Sequence, residues 1–162
     1  MTRADLECAF AGYRARVDSI VARGAWAEFA DEFTEDAVYR RLGYDDFVGR
    51  EAIRRWIVSA MTTFPGNMLV GFDVAWSTVN VTKQQVVYEL HNVMRDPGDG
   101  SLHTAATVQM LSWDPARRLW SEAADLHNPN AYADMVRGWC AHALGTGELD
   151  EGAAAYLAGL GR

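Results

Sequence analysis

Apolar positions in the first third of the chain recur at helical steps. Leu6, Phe10, Tyr13, Val17 and Ile20 fall three or four residues apart and form one stripe along a first helix. Thr2 with Asp5 three residues later supplies a start signal. Gly24 interrupts the pattern, and a short second helix carries Trp26, Phe29 and Phe33. A short strand is predicted over residues 37–42, then a polar turn over 43–46. A third helix starts near Arg50 with Ile53, Trp56, Ile57, Met61 and Phe64 on one face, and Pro65-Gly66 stops it.

The period then changes. Segments 68–81, 84–95, 102–113 and 119–127 are rich in Val, Thr, Leu and aromatic residues with partial alternation, which predicts four strands. Pro97-Gly98-Asp99-Gly100 holds the Asp-Gly hairpin signal, and Thr82-Lys83 and Asp114-Pro115 mark two further turns. Four long strands joined this way make a twisted antiparallel meander. Asn128 suits a helix N-cap and Pro129 the first helical position. Tyr132, Met135, Val136 and Trp139 give the apolar face of that helix, Gly145 and Gly147 end it, and residues 148–160 form a last helix.

Helices, one strand, a helix and then a meander is an α+β order. A long twisted sheet curls, helices cannot fill its concave side, and the gap is a pocket. The expected architecture is a cone: a curved antiparallel sheet wrapped around N-terminal helices, with a C-terminal helical extension. Residues 1–145 make the cone and 146–162 the tail.

Composition narrows the function. The 162 residues suit a single core, and 49% apolar with 23% charged residues is ordinary for a globular domain. Fifteen Lys and Arg against 22 Asp and Glu leave a net charge of −7, which disfavours nucleic acid and anionic membranes as partners. Cys8 and Cys140 sit in no metal or redox motif. The N-terminal residues lack the pattern of a secretion signal, and no apolar run is long enough to span a bilayer, so a cytoplasmic location is expected.

Strand alternation groups the candidate chemistry. With the commonest turn lengths, Tyr88, Leu90, Asn92, His103, Thr107, Gln109, Ser121, Ala123, Asp125 and His127 share the face toward the pocket. Val87, Glu89, His91, Val93, Ala106, Val108, Met110, Trp120 and Leu126 share the other, which suits a homodimer contact. A one-residue slip in the 114–118 turn would instead group Asp125 with Glu89 and His91. A carboxylate among Trp, Tyr and Leu side chains has its charged form desolvated, which makes Asp125 a candidate general base. The bland alternative is that Asp125 only binds backbone N–H groups at the following helix start. Tyr39, Tyr88 or Asn92 could donate to an oxygen that becomes negative. His91 is a second candidate base or an interface hydrogen bonder. Tyr13, Trp26 and Trp56 are aromatic candidates for the pocket wall, and His127 for its mouth. His103 follows a turn and is expected in solvent, and His142 is expected to be structural. No His and carboxylate spacing fixes a metal site, so neither metal nor cofactor is expected.

Several segments together resemble one superfamily. Trp26, Phe29 and Phe33 precede Glu35-Asp36-Ala37-Val38-Tyr39, Gly49-Arg50-Glu51-Ala52-Ile53 opens the third helix, and Trp120 leads into Asp125-Leu126-His127-Asn128-Pro129. This arrangement resembles the nuclear transport factor 2-like superfamily, and within it the SnoaL-like group that includes polyketide cyclases. The resemblance implies an acid at Asp125 pointing into the cone. It also marks departures: His127 stands where relatives often carry Tyr, and Thr107, Gln109 and Leu111 occupy the strand where the cyclases place a His partner. The superfamily holds isomerases, cyclases, dehydratases and epoxide hydrolases beside non-catalytic binding domains, so fold alone does not choose a chemistry. The leading expectation is cofactor-independent acid/base chemistry on a small hydrophobic carbonyl compound, an isomerase, cyclase or lyase. The alternative is a non-catalytic ligand-binding or assembly domain. Epoxide hydrolysis is the weaker third, with Arg41 and Asp36 as its added candidates.

Overall fold

The computed structural model describes residues 2–160. Helix α1 (Arg3–Arg23) opens on a reciprocal cap: the Asp5 amide donates to the Thr2 hydroxyl, and the Asp5 carboxylate accepts from the Thr2 amide. Its stripe of Leu6, Phe10, Tyr13, Val17 and Ile20 is buried, as the periodicity predicts. The segment predicted as a second helix is a 3-10 turn, Trp26–Glu32, and Phe33 already starts strand β1 (Phe33–Arg41). The strand is therefore longer than predicted, because Phe33 and Thr34 bury themselves against the core. A two-residue strand β2 (Phe47–Val48), absent from the expectation, pairs with β1.

Helix α2 (Arg50–Thr62) presents Ile53, Ile57 and Met61 inward. Gly66 follows in a 3-10 turn, Gly66–Met68. A Cβ built on Gly66 would lie 1.9 Å from the Ala60 carbonyl oxygen, so the backbone approach there requires glycine. Strands β3 (Leu69–Asn80), β4 (Gln85–Met94), β5 (Thr104–Asp114) and β6 (Leu119–His127) form the predicted antiparallel meander. β1 closes the sheet by pairing parallel to β6, giving six strands in the order β2-β1-β6-β5-β4-β3.

The Asn128 side chain caps helix α3 (Pro129–Thr146), with Pro129 in its first turn. Gly145 lies inside this helix, and the left-handed Gly147 ends it. Helix α4 (Glu151–Leu160) follows; Tyr156 packs on Phe64 with ring centroids 5.4 Å apart, and Ala153 joins the main core. The predicted tail extends to Arg162, and its last two residues lie outside the described residues. Among the described residues no helix is long and apolar enough to cross a membrane.

Trp120 leaves its expected side of the sheet. The ladder between β5 and β6 shifts at Ser112/Trp113, which places Trp120 opposite Trp113 and reverses the alternation. Trp120 is buried inside the cone, edge-on to Tyr13 at 5.8 Å, instead of lying on the outer face. Ser121 is the extra residue of the bulge, and its hydroxyl donates to the Ser112 carbonyl.

Candidate active site

The concave side of the sheet, α1, α2 and the 3-10 turns enclose a cavity of about 420 Å³. This lies in the range for a small organic ligand. Register places a line of side chains across its floor. Arg41 on β1 pairs with Asp125 on β6 and Asp125 with Gln109 on β5, and Gln109 pairs in turn with Tyr88 on β4, which lies behind the floor. One step along the strands, His127 faces Thr107 and Thr107 faces Leu90. The register that groups Asp125 with Gln109 and Asn92 is thus the observed one, and the slipped alternative is not.

Asp125 is held from two sides. The Tyr39 hydroxyl donates to its carboxylate, 2.9 and 3.0 Å from the two oxygens, and the Gln109 amide donates to Oδ1. Gln109 also reaches the Tyr39 hydroxyl oxygen at 3.0 Å, while its own carbonyl accepts from Tyr88. The residue is partly accessible because it borders the cavity, whereas dense protein surrounds its carboxylate. Burial pushes its pKa up to about 6 against the opposing pull of Tyr39, Gln109 and the Arg41 charge. At neutral pH it is mostly ionised and only weakly solvated. Its lone pairs are not spent on the α3 start, where Asn128 caps the amides instead.

Of the other expected residues, Tyr13, Trp26, Trp56, Asn92, Thr107, Gln109 and His127 all line the cavity. Asn92 donates to the Ala105 carbonyl and to the Thr107 hydroxyl oxygen at 3.0 and 2.9 Å, so both its N–H groups are used and the Thr107 hydrogen remains free to donate. Burial and the neighbouring Arg41 charge lower the His127 pKa, which keeps the ring neutral near pH 7.

Four placements correct the sequence reading. Tyr39 and Tyr88 lie behind the floor, not on it; they are deeply buried and bound to Asp125 and Gln109, and burial raises both phenols well above their ordinary pKa. Each therefore stays a neutral donor to the residue in front of it, and neither lines the cavity. His91 lies on the outer face, 3.3 Å from Glu89, and cannot share a ligand with Asp125 within this chain. His103 precedes β5, outside the cavity and half-buried: its ring packs 5.0 Å from that of His142 on α3, above Gly138, which has no side chain to block it. Asp36 is exposed and tied to Arg117 and Thr34, away from the cavity.

The sequence reading missed Arg14, Tyr44, Phe72 and Tyr132, which also line the cavity, and did not place Arg41 beside Asp125. The signal for Arg41 was the inward alternation of Ala37, Tyr39 and Arg41 in β1; the parallel pairing that brings it to Asp125 carries no local mark. Among the described residues no three His, Cys, Asp or Glu side chains come together at metal-ligand spacing.

A profile of the SnoaL-like domain matches residues 11–113, more than half of the sequence. The chain belongs to the SnoaL-like family. Its fold is that of the nuclear transport factor 2-like superfamily, as similar solved structures show. A protein from Shewanella denitrificans described as a SnoaL-like polyketide cyclase superimposes with a TM-score of 0.61 at 16% identity, over 84% of this chain and 99% of that one. SalBIII, an epoxide hydrolase/cyclase-like enzyme with a role in pyran ring formation in the polyether salinomycin, gives 0.59 at 16% identity, over 79% and 94%. An NTF2-like protein from Anabaena variabilis gives 0.59 at 15% identity, over 79% and 93%. At these identities the likeness is one of fold. No protein of curated function matches the sequence.

Proposed function

We propose that this SnoaL-like protein is a cofactor-independent acid/base enzyme acting on a small hydrophobic carbonyl compound, with Asp125 as general base. The observation that carries this reading is one carboxylate, the only one among the described residues lining the cavity, raised to a pKa of about 6 on a wall that is mostly aromatic and aliphatic. In the proposed reaction Asp125 takes a proton from the carbon next to the substrate carbonyl. The C–H electron pair becomes the enolate double bond, and the carbonyl oxygen takes the negative charge. The free Thr107 hydroxyl hydrogen and the neutral His127 ring, neighbours on the same face, are donors for that oxygen. Tyr39 and Gln109 are positioning residues that fix the carboxylate.

Three outcomes conserve protons. Protonated Asp125 returns its proton to a different carbon in an isomerisation. It protonates the alkoxide formed when the enolate attacks a second carbonyl of the same molecule in a cyclisation. It protonates a β-hydroxyl that leaves as water in a dehydration. Epoxide opening by paired carboxylates receives no support, since Asp125 is the only carboxylate among the described residues lining the cavity.

A second reading, a domain that binds its ligand unchanged, is favoured by one observation. Thr107, Gln109 and Leu111 hold the β5 positions opposite Asp125 and its neighbours, with no His among them. In either reading we propose a homodimer through the outer sheet face, where Leu126 and Trp76 are about half exposed, at 45% and 46%.

The deciding experiment screens polycyclic ketones and terpenoids by thermal shift and native mass spectrometry, then incubates each stabilising compound with the wild type and Asp125→Asn. Conversion by the wild type alone supports the enzyme. Recovery of every bound compound unchanged from both proteins supports the binding domain, and conversion by Asp125→Asn at the wild-type rate refutes the role of Asp125.

A further inference from the structure

Among the described residues, Arg41 is the one cation in the cavity wall without a partner of its own. Arg14, the other, donates to the Phe72 carbonyl at 2.7 Å and to Asp18 at 3.0 Å, and is a bracing residue between α1 and β3. Arg40, next along β1, is paired with Glu122 and Asp46 on the opposite face. Among the described residues Arg41 donates no hydrogen bond and makes no ion pair within 4.0 Å. Aromatic rings hold it instead: its guanidinium carbon lies 4.4 Å from the Tyr44 ring centroid, 5.6 Å from that of Trp56 and 5.7 Å from that of Phe47. Tyr44 is in turn stacked on His127, with centroids 6.1 Å apart and planes 12° from parallel.

Stacking satisfies the flat face of a guanidinium and leaves the five N–H donors of its edge unused. A half-buried cation in that condition is incompletely solvated, and the group that best matches its planar fork is a carboxylate. Asp125 does not fill this role, since the two side chains make no ion pair even though their backbones are register neighbours. A pair between them would also neutralise the carboxylate.

We propose that the ligand of this cavity carries a carboxylate bound by Arg41 at the end bounded by Tyr44 and His127, with its apolar body against Trp26, Phe72 and Leu90. This rests on the cavity being a small-molecule site, but not on Asp125 acting as a base. A dianionic phosphate fits less well, because Arg14 is already engaged and Asp125 adds a negative charge to the same cavity.

The test uses binding. Calorimetry near pH 7.5 compares 9-fluorenone-4-carboxylate with its carboxamide on the wild type, Arg41→Gln, Arg41→Lys and Asp125→Asn, each checked for unaltered circular dichroism. The wild type should bind the acid at least about tenfold tighter than the amide, the scale of one charge-assisted pair. Arg41→Gln should abolish the preference, and Arg41→Lys should leave only part of it. Asp125→Asn should keep or enlarge it, because a like charge is removed. Failure of the acid to bind, equal binding of acid and amide, or a preference that survives Arg41→Gln would each overturn the proposal. If the Arg41-dependent preference is found while Asp125→Asn still turns over substrate at the wild-type rate, the base assignment alone fails.

Discussion

Replacing Asp125 by Asn should stabilise this fold at neutral pH, and the size of the effect follows from the site. An Asp in the unfolded chain titrates near its ordinary value of 3.8, whereas in the folded protein burial raises Asp125 to about 6. Between those two values the folded protein retains a proton that the unfolded chain has lost, so stability falls as pH rises through that window. Roughly two pKa units at about 1.36 kcal/mol each correspond to about 3 kcal/mol lost once both states are ionised. About 2 kcal/mol of that loss develops between about pH 4.5 and pH 7.5.

Asn keeps the shape and a carbonyl that accepts from Tyr39 and Gln109, and has no proton to lose. The stability of the variant relative to the wild type should therefore grow by about 2 kcal/mol from the lower pH to the higher, or about 4–8 °C in Tm for a chain of this size. Urea unfolding of both proteins at both pH values measures it, and other titrating groups cancel because both proteins carry them. A difference that stays flat with pH, or that shrinks toward pH 7.5, would show that the carboxylate is not desolvated, and the argument for a poised base would fall with it. If the argument holds, the wild type gives up stability to keep a charge at the cavity wall, as functional sites commonly do.

Other outcomes follow from the same geometry. Turnover of an identified substrate should fall as pH drops through about 6, because the base is protonated there; a rate flat from about pH 5 to 8 would argue against Asp125. Tyr39→Phe removes the hydroxyl that holds the carboxylate, so the acid limb of that profile should move to higher pH with the fold intact. Gly66→Ala should cost about 1–3 kcal/mol in chemical denaturation, since the new methyl meets the Ala60 carbonyl at a backbone approach that cannot yield. Sedimentation at micromolar concentration should give a dimer, and Leu126→Glu on the outer face should give a monomer with the cavity unchanged.

Much of this protein could be read locally. The α1 stripe, its Thr2–Asp5 cap, the Asn128-Pro129 start of α3 and the four strands of the meander are set by residues close in sequence, and they formed where the pattern put them. Alternation along β4, β5 and β6 was enough to gather Asn92, Thr107, Gln109, Asp125 and His127 on one face, because hairpin turns link the registers of adjacent strands. The 3-10 turn at Trp26–Glu32 was less legible, since its aromatic spacing satisfies a helix equally well and only packing chose between them.

What decided the site was non-local. β1 lies some eighty residues before β6, and no turn connects them, so nothing near either strand announces that they pair in parallel. That pairing brings Arg41 to Asp125 and sets Tyr39 behind it, making one a cation near the carboxylate and the other a donor that faces it. The bulge at Ser112/Trp113 turned Trp120 from the surface into the core, an event of one ladder position that alternation cannot foresee. Local sequence therefore determined which elements exist and which of their faces are apolar. The tertiary structure alone determined which charges meet, because electrostatics acts through a few ångströms of space whatever the distance along the chain.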